Sequence, residues 1–276
     1  MKNGLIVIIL VVLGVIAWYL FGLQQSAVDE APPPPPLVEQ AAPVAAPAQE
    51  PMEPEITAPE PTVEPVVEAP PLPQLAESDP VVIASLAGLV GNEPVEQFVA
   101  HEDLVSRVVA TVDALSSQQV PAAIKPVEGP GGEFQATADD DPQSVILNAT
   151  GDPIPQFVVD PVNYARYTPY VEMLEAAEPA EFTAAYRDYR PLFEEAFRQL
   201  GYPEGDFDQR LRAVIDELLA TPDVSEPPRL IKPEAYYLYA DEDLESLSAG
   251  QKVLIRMGPD NAARVKVRLA AIRDAL

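Results

Sequence analysis

The chain has 276 residues, with 44 acidic against 17 basic side chains, 33 prolines, one histidine and no cysteine. Without cysteine there is no disulfide framework, thiol redox centre or cysteine nucleophile, and a lone histidine argues against zinc hydrolase sites, which take two or three. A net charge of −27 argues against nucleic-acid binding, which needs basic faces to displace counterions.

Gly4–Leu23 reads GLIVIILVVLGVIAWYLFGL, twenty residues without a charge. As a helix it would span ~30 Å, the thickness of a bilayer's hydrocarbon layer, with Trp18 and Tyr19 near the interface that amphipathic rings favour. A cleaved signal peptide would have a shorter apolar run and small residues before the cut. Here the best local cut places Gln25 where a small residue is needed, so an uncleaved anchor is expected. Lys2 precedes the span, and no lysine or arginine follows until Arg107. That asymmetry puts the N-terminus in the cytoplasm and everything after residue 23 outside it.

Residues 24–74 hold fifteen prolines, nine acidic residues and no basic one. Proline lacks the amide donor that helix and sheet require, and like charges extend the chain. A disordered acidic linker is expected, spanning ~40 Å as a flexible coil and ~160 Å as continuous polyproline II.

Residues 75–276 are long enough for one sizeable core. Asp79-Pro80 reads as a helix start, with Val82, Leu86 and Leu89 on one face and Gly91 as the stop. A second helix is expected from His101 to Ser116, striped by Leu104, Val108, Val112 and Leu115. Prolines and glycines interrupt residues 118–157. A short β-hairpin is expected within 133–148, pairing Phe134–Thr137 with Ser144–Leu147 around Asp139, Asp140, Asp141 and Pro142.

Asp160-Pro161 repeats the cap-then-proline device, and Tyr164, Tyr167, Val171 and Leu174 follow at helical spacing. From Pro179 to Leu200, Phe182, Tyr186, Tyr189, Phe193, Phe197 and Leu200 keep one phase across Pro191. That predicts either a kinked helix or two abutting ones, stopped at Gly201. Phe207 to Leu218 reads as another helix, capped by Asp206 or Asp208. Residues 223–233 look extended, and a helical piece is expected at Asp243–Leu247. Ser248 and Gln251 form a capping box. The last helix carries Ala262, Val265, Leu269, Ile272 and Leu276. The expected fold class is all-α, mainly α with that one short hairpin, behind an N-terminal transmembrane helix and a proline-rich linker.

Residues 160–175 (DPVNYARYTPYVEMLE), 189–222 (YRPLFEEAFRQLGYPEGDFDQRLRAVIDELLATP) and 247–276 (LSAGQKVLIRMGPDNAARVKVRLAAIRDAL) resemble the domain-of-unknown-function family 3014. The resemblance implies a single-pass bacterial envelope protein, hence an inner-membrane anchor with the C-terminal domain in the periplasm. It implies no enzyme class, ligand or catalytic residue.

Each candidate for chemistry has a plainer structural reading. His101 is a candidate general base, but beside Glu102 and Asp103 it reads better as a surface residue. Asp139, Asp140, Asp141 and Asp152 could ligate a hard cation, yet the D-x-D-x-D-G spacing is absent. Glu194 and Glu195 could act as a glycan hydrolase's paired carboxylates, with no surrounding motif to support them. Of the group Tyr164, Tyr167, Tyr170, Tyr186 and Tyr189, the helical phasing puts Tyr164, Tyr167, Tyr186 and Tyr189 on core faces, whereas Arg166, Arg187 and Arg190 are less well explained by packing. Residues 251–276 carry six basic residues against Asp260 and Asp274, so Arg264, Lys266 and Arg268 serve either internal pairing or an anionic partner.

No cofactor or metal site is expected. The functional expectation is a non-catalytic binding or scaffolding module with an envelope protein or cell-wall partner; the alternative is a carboxylate-dependent hydrolase of wall glycan or peptide.

Overall fold

The computed structural model describes residues 72–141, 145–148, 150–176, 178–233 and 236–276. The expected anchor at 4–23 and nearly all of the linker at 24–74 lie outside them. Among the described residues, no helix is long and apolar enough to cross a membrane.

Helix α1 spans Asp79–Val90 and buries Val82 and Leu86. Its first residue has an unforeseen task. The Asp79 carboxylate accepts from the backbone amides of Asp103 and Leu104, both at 2.8 Å, and so caps α3, Leu104–Ala114, across 24 residues of chain. Gly91, at φ 94°, turns directly into a short helix α2, Asn92–Phe98, which the sequence reading missed. Helix α3 begins later than expected, because residues 101–103 form a bend and Asp103 is left-handed at φ 54°.

The β structure corrects the expected hairpin within 133–148. Strand β1 (Ala136–Ala138) does not pair with β2 (Ile146–Leu147). Strand β2 pairs with β3 (Pro153–Ile154), while β1 pairs with β4 (Gln156–Val159) in the register Ala136–Val159. The turn lies at Asn148–Asp152, where the Asn148 side chain accepts from the amides of Thr150 and Asp152 at 2.9 Å each, and Gly151 takes φ 86°. An asparagine whose side chain accepts from amides two and four residues on closes a turn locally. Strand β4 also pairs with β5 (Arg229–Ile231), which pairs with β6 (Leu238–Tyr239). The four-stranded antiparallel sheet has the order β1-β4-β5-β6. The protein is mainly helical with a small sheet.

Seven helices follow β4 among the described residues: α4 (Val162–Ala165), α5 (Thr168–Ala176), α6 (Pro179–Leu200), α7 (Phe207–Leu219), then, past β5 and β6, α8 (Glu242–Glu245), α9 (Ala249–Arg256) and α10 (Pro259–Ala275), which closes the chain. Helix α6 is one helix of 22 residues with Pro191 inside it. Ser248 and Gln251 form the expected capping box.

The main core joins α1, α3, α5, α6, α7, α9 and α10. Its aromatic centre is Tyr186, Phe193, Phe197 and Phe207, with Phe193 stacked on Phe207 at 5.6 Å between centroids. Val265, Leu269 and Ile272 of α10 are buried as expected, and Ala262 and Leu276 pack partly against them. A second, smaller core of Val159, Leu230, Tyr239 and Ile255 fixes the sheet to α9. Gly258 separates α9 from α10 at φ 85°, and a Cβ there would lie 2.5 Å from the Tyr164 ring. Only glycine meets both demands.

Candidate functional site

A cleft opens where the chain leaves α2. Val99 and Val127 form an antiparallel bridge, both side chains buried. On either side, Ala100 donates its amide to Pro126 O at 2.8 Å and Glu128 donates to Phe98 O at 2.6 Å. These valines form an apolar floor. Helix α3 then fixes both lips. Arg107 Nε donates to Glu102 O at 2.9 Å, and its Nη1 donates to Ala123 O at 2.9 Å and Lys125 O at 3.3 Å. Thr111 Oγ1 donates to Ile124 O at 2.8 Å. One arginine thus holds the 101–103 bend and the 122–125 turn at a fixed separation.

The walls carry Glu96, His101, Glu102, Arg107, Lys125 and Glu128 around about 630 Å³. Glu96, His101 and Glu102 are exposed, and their side chains form no ion pair among the described residues. Lys125 is half-buried; burial pushes its amine down to about 8, against a smaller upward pull from Glu128. A concave polar site with a perturbed ionisable group is the arrangement that functional sites share. Of these residues the sequence singled out only His101. Lys125 sits between Ile124 and Pro126 in a stretch without periodicity, and no local pattern marks it.

The other candidates are tied into the fold. Glu194, Asp206 and Asp208 bring one oxygen each within 4.8 Å of one another. Asp206 caps α7 by accepting from Gln209 N at 3.2 Å, and Glu194 Oε2 accepts from Phe207 N at 3.2 Å. Asp208 accepts a short hydrogen bond from the Tyr186 hydroxyl and pairs with Arg190 Nε at 2.9 Å. Burial, then that carboxylate, drives the Tyr186 hydroxyl far above the ordinary tyrosine range. Three acids at the first turn of a helix complement its positive end. Glu195 instead accepts from Gln199 Nε2 at 3.1 Å, so Glu194 and Glu195 serve separate local contacts.

Arg166 reaches back to the glycine-rich loop: its Nε donates to Gly131 O at 2.9 Å and its Nη2 to Pro130 O at 3.1 Å and Gly132 O at 3.0 Å. Arg187 donates to Ala275 O at 2.9 Å, at the end of α10. Arg264 makes a two-pronged contact with Glu175 at 2.9 and 2.5 Å, and Arg268 donates to the Glu175 carbonyl. That contact is the leading reason the Glu175 carboxyl is held below its usual range. Lys266 bonds Thr221 O and Asp223, both at 2.6 Å. The structure therefore brings Arg264 and Arg268 together on Glu175 and places Lys266, Arg187, Arg190 and Arg166 at four other points.

Tyr167, Tyr170, Tyr186 and Tyr189 are buried, and Tyr164 lies partly exposed over Gly258. Asp139 and Asp141 pair with Arg229 at 2.9 and 3.4 Å, Asp140 is exposed, and Asp152 accepts from Thr150 Oγ1 at 2.7 Å.

A family model described as "Protein of unknown function (DUF3014)" matches residues 104–273, which includes Arg107, Lys125 and Glu128 of the cleft and begins after Glu96, His101 and Glu102. No curated protein and no solved structure matches the chain. The match takes in two of the three strings that carry the resemblance in full and most of the third, and the chain belongs to the DUF3014 family.

Proposed function

We propose that this is a single-pass bacterial envelope protein whose helical domain binds a partner without catalysing a reaction. Residues 4–23 anchor it in the inner membrane, 24–74 act as a spacer, and the domain stands in the periplasm. The observation that carries the binding reading is the cleft. Most of the other candidate cations and carboxylates hold the fold together, whereas here Glu96, His101 and Glu102 stand around a concave surface with no ion pair among the described residues. The apolar floor of Val99 and Val127 gives a partner something to bury, and the charged rim gives it orientation.

The test uses full-length protein in cells. Alkaline phosphatase fused after Leu276 is expected to be active, since that enzyme works only outside the cytoplasm. Chemical cross-linking and purification should recover a discrete envelope partner, and the pair Glu96→Arg and Glu102→Arg should abolish its recovery while membrane level stays unchanged. An inactive phosphatase fusion overturns the topology. Recovery that the two substitutions leave intact overturns the cleft as the binding surface.

A further inference from the structure

The charged side chains of the cleft are sorted by depth. Glu96 and Glu102 are exposed among the residues that line it. Glu93, also exposed, lies one helical turn before Glu96 on α2, and exposed Asp103 follows Glu102. None of these four carboxylates is in an ion pair among the described residues. The cations sit deeper. Arg107 is half-buried, with its Nε and Nη1 on the carbonyls of Glu102, Ala123 and Lys125. Lys125 is half-buried as well, with Glu128 as its neighbouring charge. An approaching molecule therefore meets negative charge first, and a concave surface with low-dielectric walls concentrates that field.

The carboxylates are also held apart. Among the described residues, the acids that gather three oxygens within 4.8 Å of one another are Glu194, Asp206 and Asp208, and none of them lines the cleft. A single hard cation needs its oxygen ligands around one point. Acids on two separate pieces of chain, α2 and the 101–103 bend, suit positive charges that are themselves spaced along a chain. That spacing is built into the fold: Arg107 holds the Glu102 carbonyl, and Asp79 holds the amides of Asp103 and Leu104. Acceptors fixed beforehand lose little freedom when they are engaged.

We propose that the cleft binds a short basic segment of the partner protein, one lysine or arginine reaching Glu96 and another reaching Glu102. This rests on the binding reading above and adds the partner's charge to it. The volume of about 630 Å³ admits a few residues of an extended chain and not a folded domain. The floor of Val99 and Val127 is apolar, so the pattern that fits is basic, apolar, basic. Each carboxylate accepts charge-assisted hydrogen bonds from an ammonium or guanidinium group. Exposed pairs of this kind are weak singly and screened by salt, so they set the orientation and rate of encounter more than its tightness.

The test measures fluorescence anisotropy of a rhodamine-labelled Lys-Val-Lys-Val-Lys peptide with full-length protein in a non-ionic detergent at low salt. The peptide should bind about tenfold more tightly than Glu-Val-Glu-Val-Glu with the same label. Glu96→Gln and Glu102→Gln together should weaken it about fivefold, with circular dichroism unchanged. The acids of residues 24–74 are the rival attractor, so Glu53→Gln with Glu55→Gln is the control pair and should leave binding unchanged. Equal binding of the two peptides, or equal loss from the cleft pair and the control pair, overturns the proposal. In cells, the two glutamines should lower recovery of the cross-linked partner as the two arginines do. Recovery kept with the glutamines but lost with the arginines overturns the basic segment and leaves the cleft as the binding surface. Recovery kept with both overturns the two readings together.

Discussion

The helical body and the small sheet are held by different physics. In the body, Tyr186, Phe193, Phe197 and Phe207 meet as a stacked and tilted aromatic cluster under α3 and α10. Its stability scales with buried apolar area and spreads over many contacts. In the sheet region, strands of two to four residues cover a core of four buried side chains. There, single polar residues carry the geometry: Arg166 on the 130–132 carbonyls, Asn163 bridging to Gln135, Asn148 closing its turn. Damage to the body should therefore unfold the domain, whereas damage to the sheet region should loosen it locally.

The largest expected effect comes from Phe193→Ala. Removing a fully buried ring from the cluster should cost about 3–5 kcal/mol, read as a lower urea midpoint by circular dichroism. Glu245→Ala comes next, because it takes the carboxylate from the buried Lys252 ammonium, leaving it Gln118 Oε1 at 3.5 Å, and removes the acceptor of the Tyr239 amide. A loss of about 3 kcal/mol is expected, and Lys252→Met, Glu245→Gln together should recover most of it. Arg166→Ala should cost about 1–2 kcal/mol, with faster hydrogen exchange at 130–135 and unchanged exchange in α6 and α7. Equal acceleration in both regions would erase the distinction between them.

Two smaller effects turn on pH. Arg264→Ala should cost under ~1 kcal/mol, since the pair with Glu175 is partly exposed. Glu175 is held low by that pair, so the contribution is present above its ordinary value near 4.5 and fades as pH falls through the folded value. The variant and the parent should converge in acid. For Lys125 the sign is opposite. Burial lowers its amine from 10.5 to about 8, so the folded state binds fewer protons between those values and stability rises with pH across them. Lys125→Met should melt slightly higher at pH 7, and its advantage should shrink towards pH 10.5.

The same contrast explains what could be read from the sequence. Helices α1, α6, α7, α9 and α10 were legible because their apolar residues recur at 3.6, helped in α6, α7 and α9 by local caps at Gly201, Asp206 and Ser248. The sheet was not legible. Phe157 pairs with Leu230 and Ala136 with Val159, so strands too short to alternate depend on partners far along the chain. Asp79 shows the limit of local reasoning even within the helices, for its carboxylate caps α3 and not its own helix. Of the cleft, only His101 was visible. The rest is assembled by Arg107 binding backbone carbonyls, and carbonyls carry no signature in side-chain pattern.

If the proposed partner meets the cleft and not the basic last helix, the two surfaces should behave differently in cells. The most direct test places a photo-reactive residue at position 101 or at position 267 of the full-length protein and irradiates intact cells. Val267 is 68% exposed on α10 between Lys266 and Arg268, so it reports on the basic face. One discrete cross-linked species is expected from position 101 and none from position 267. A cross-link from position 267 alone would contradict it and move the partner to Arg264, Lys266 and Arg268.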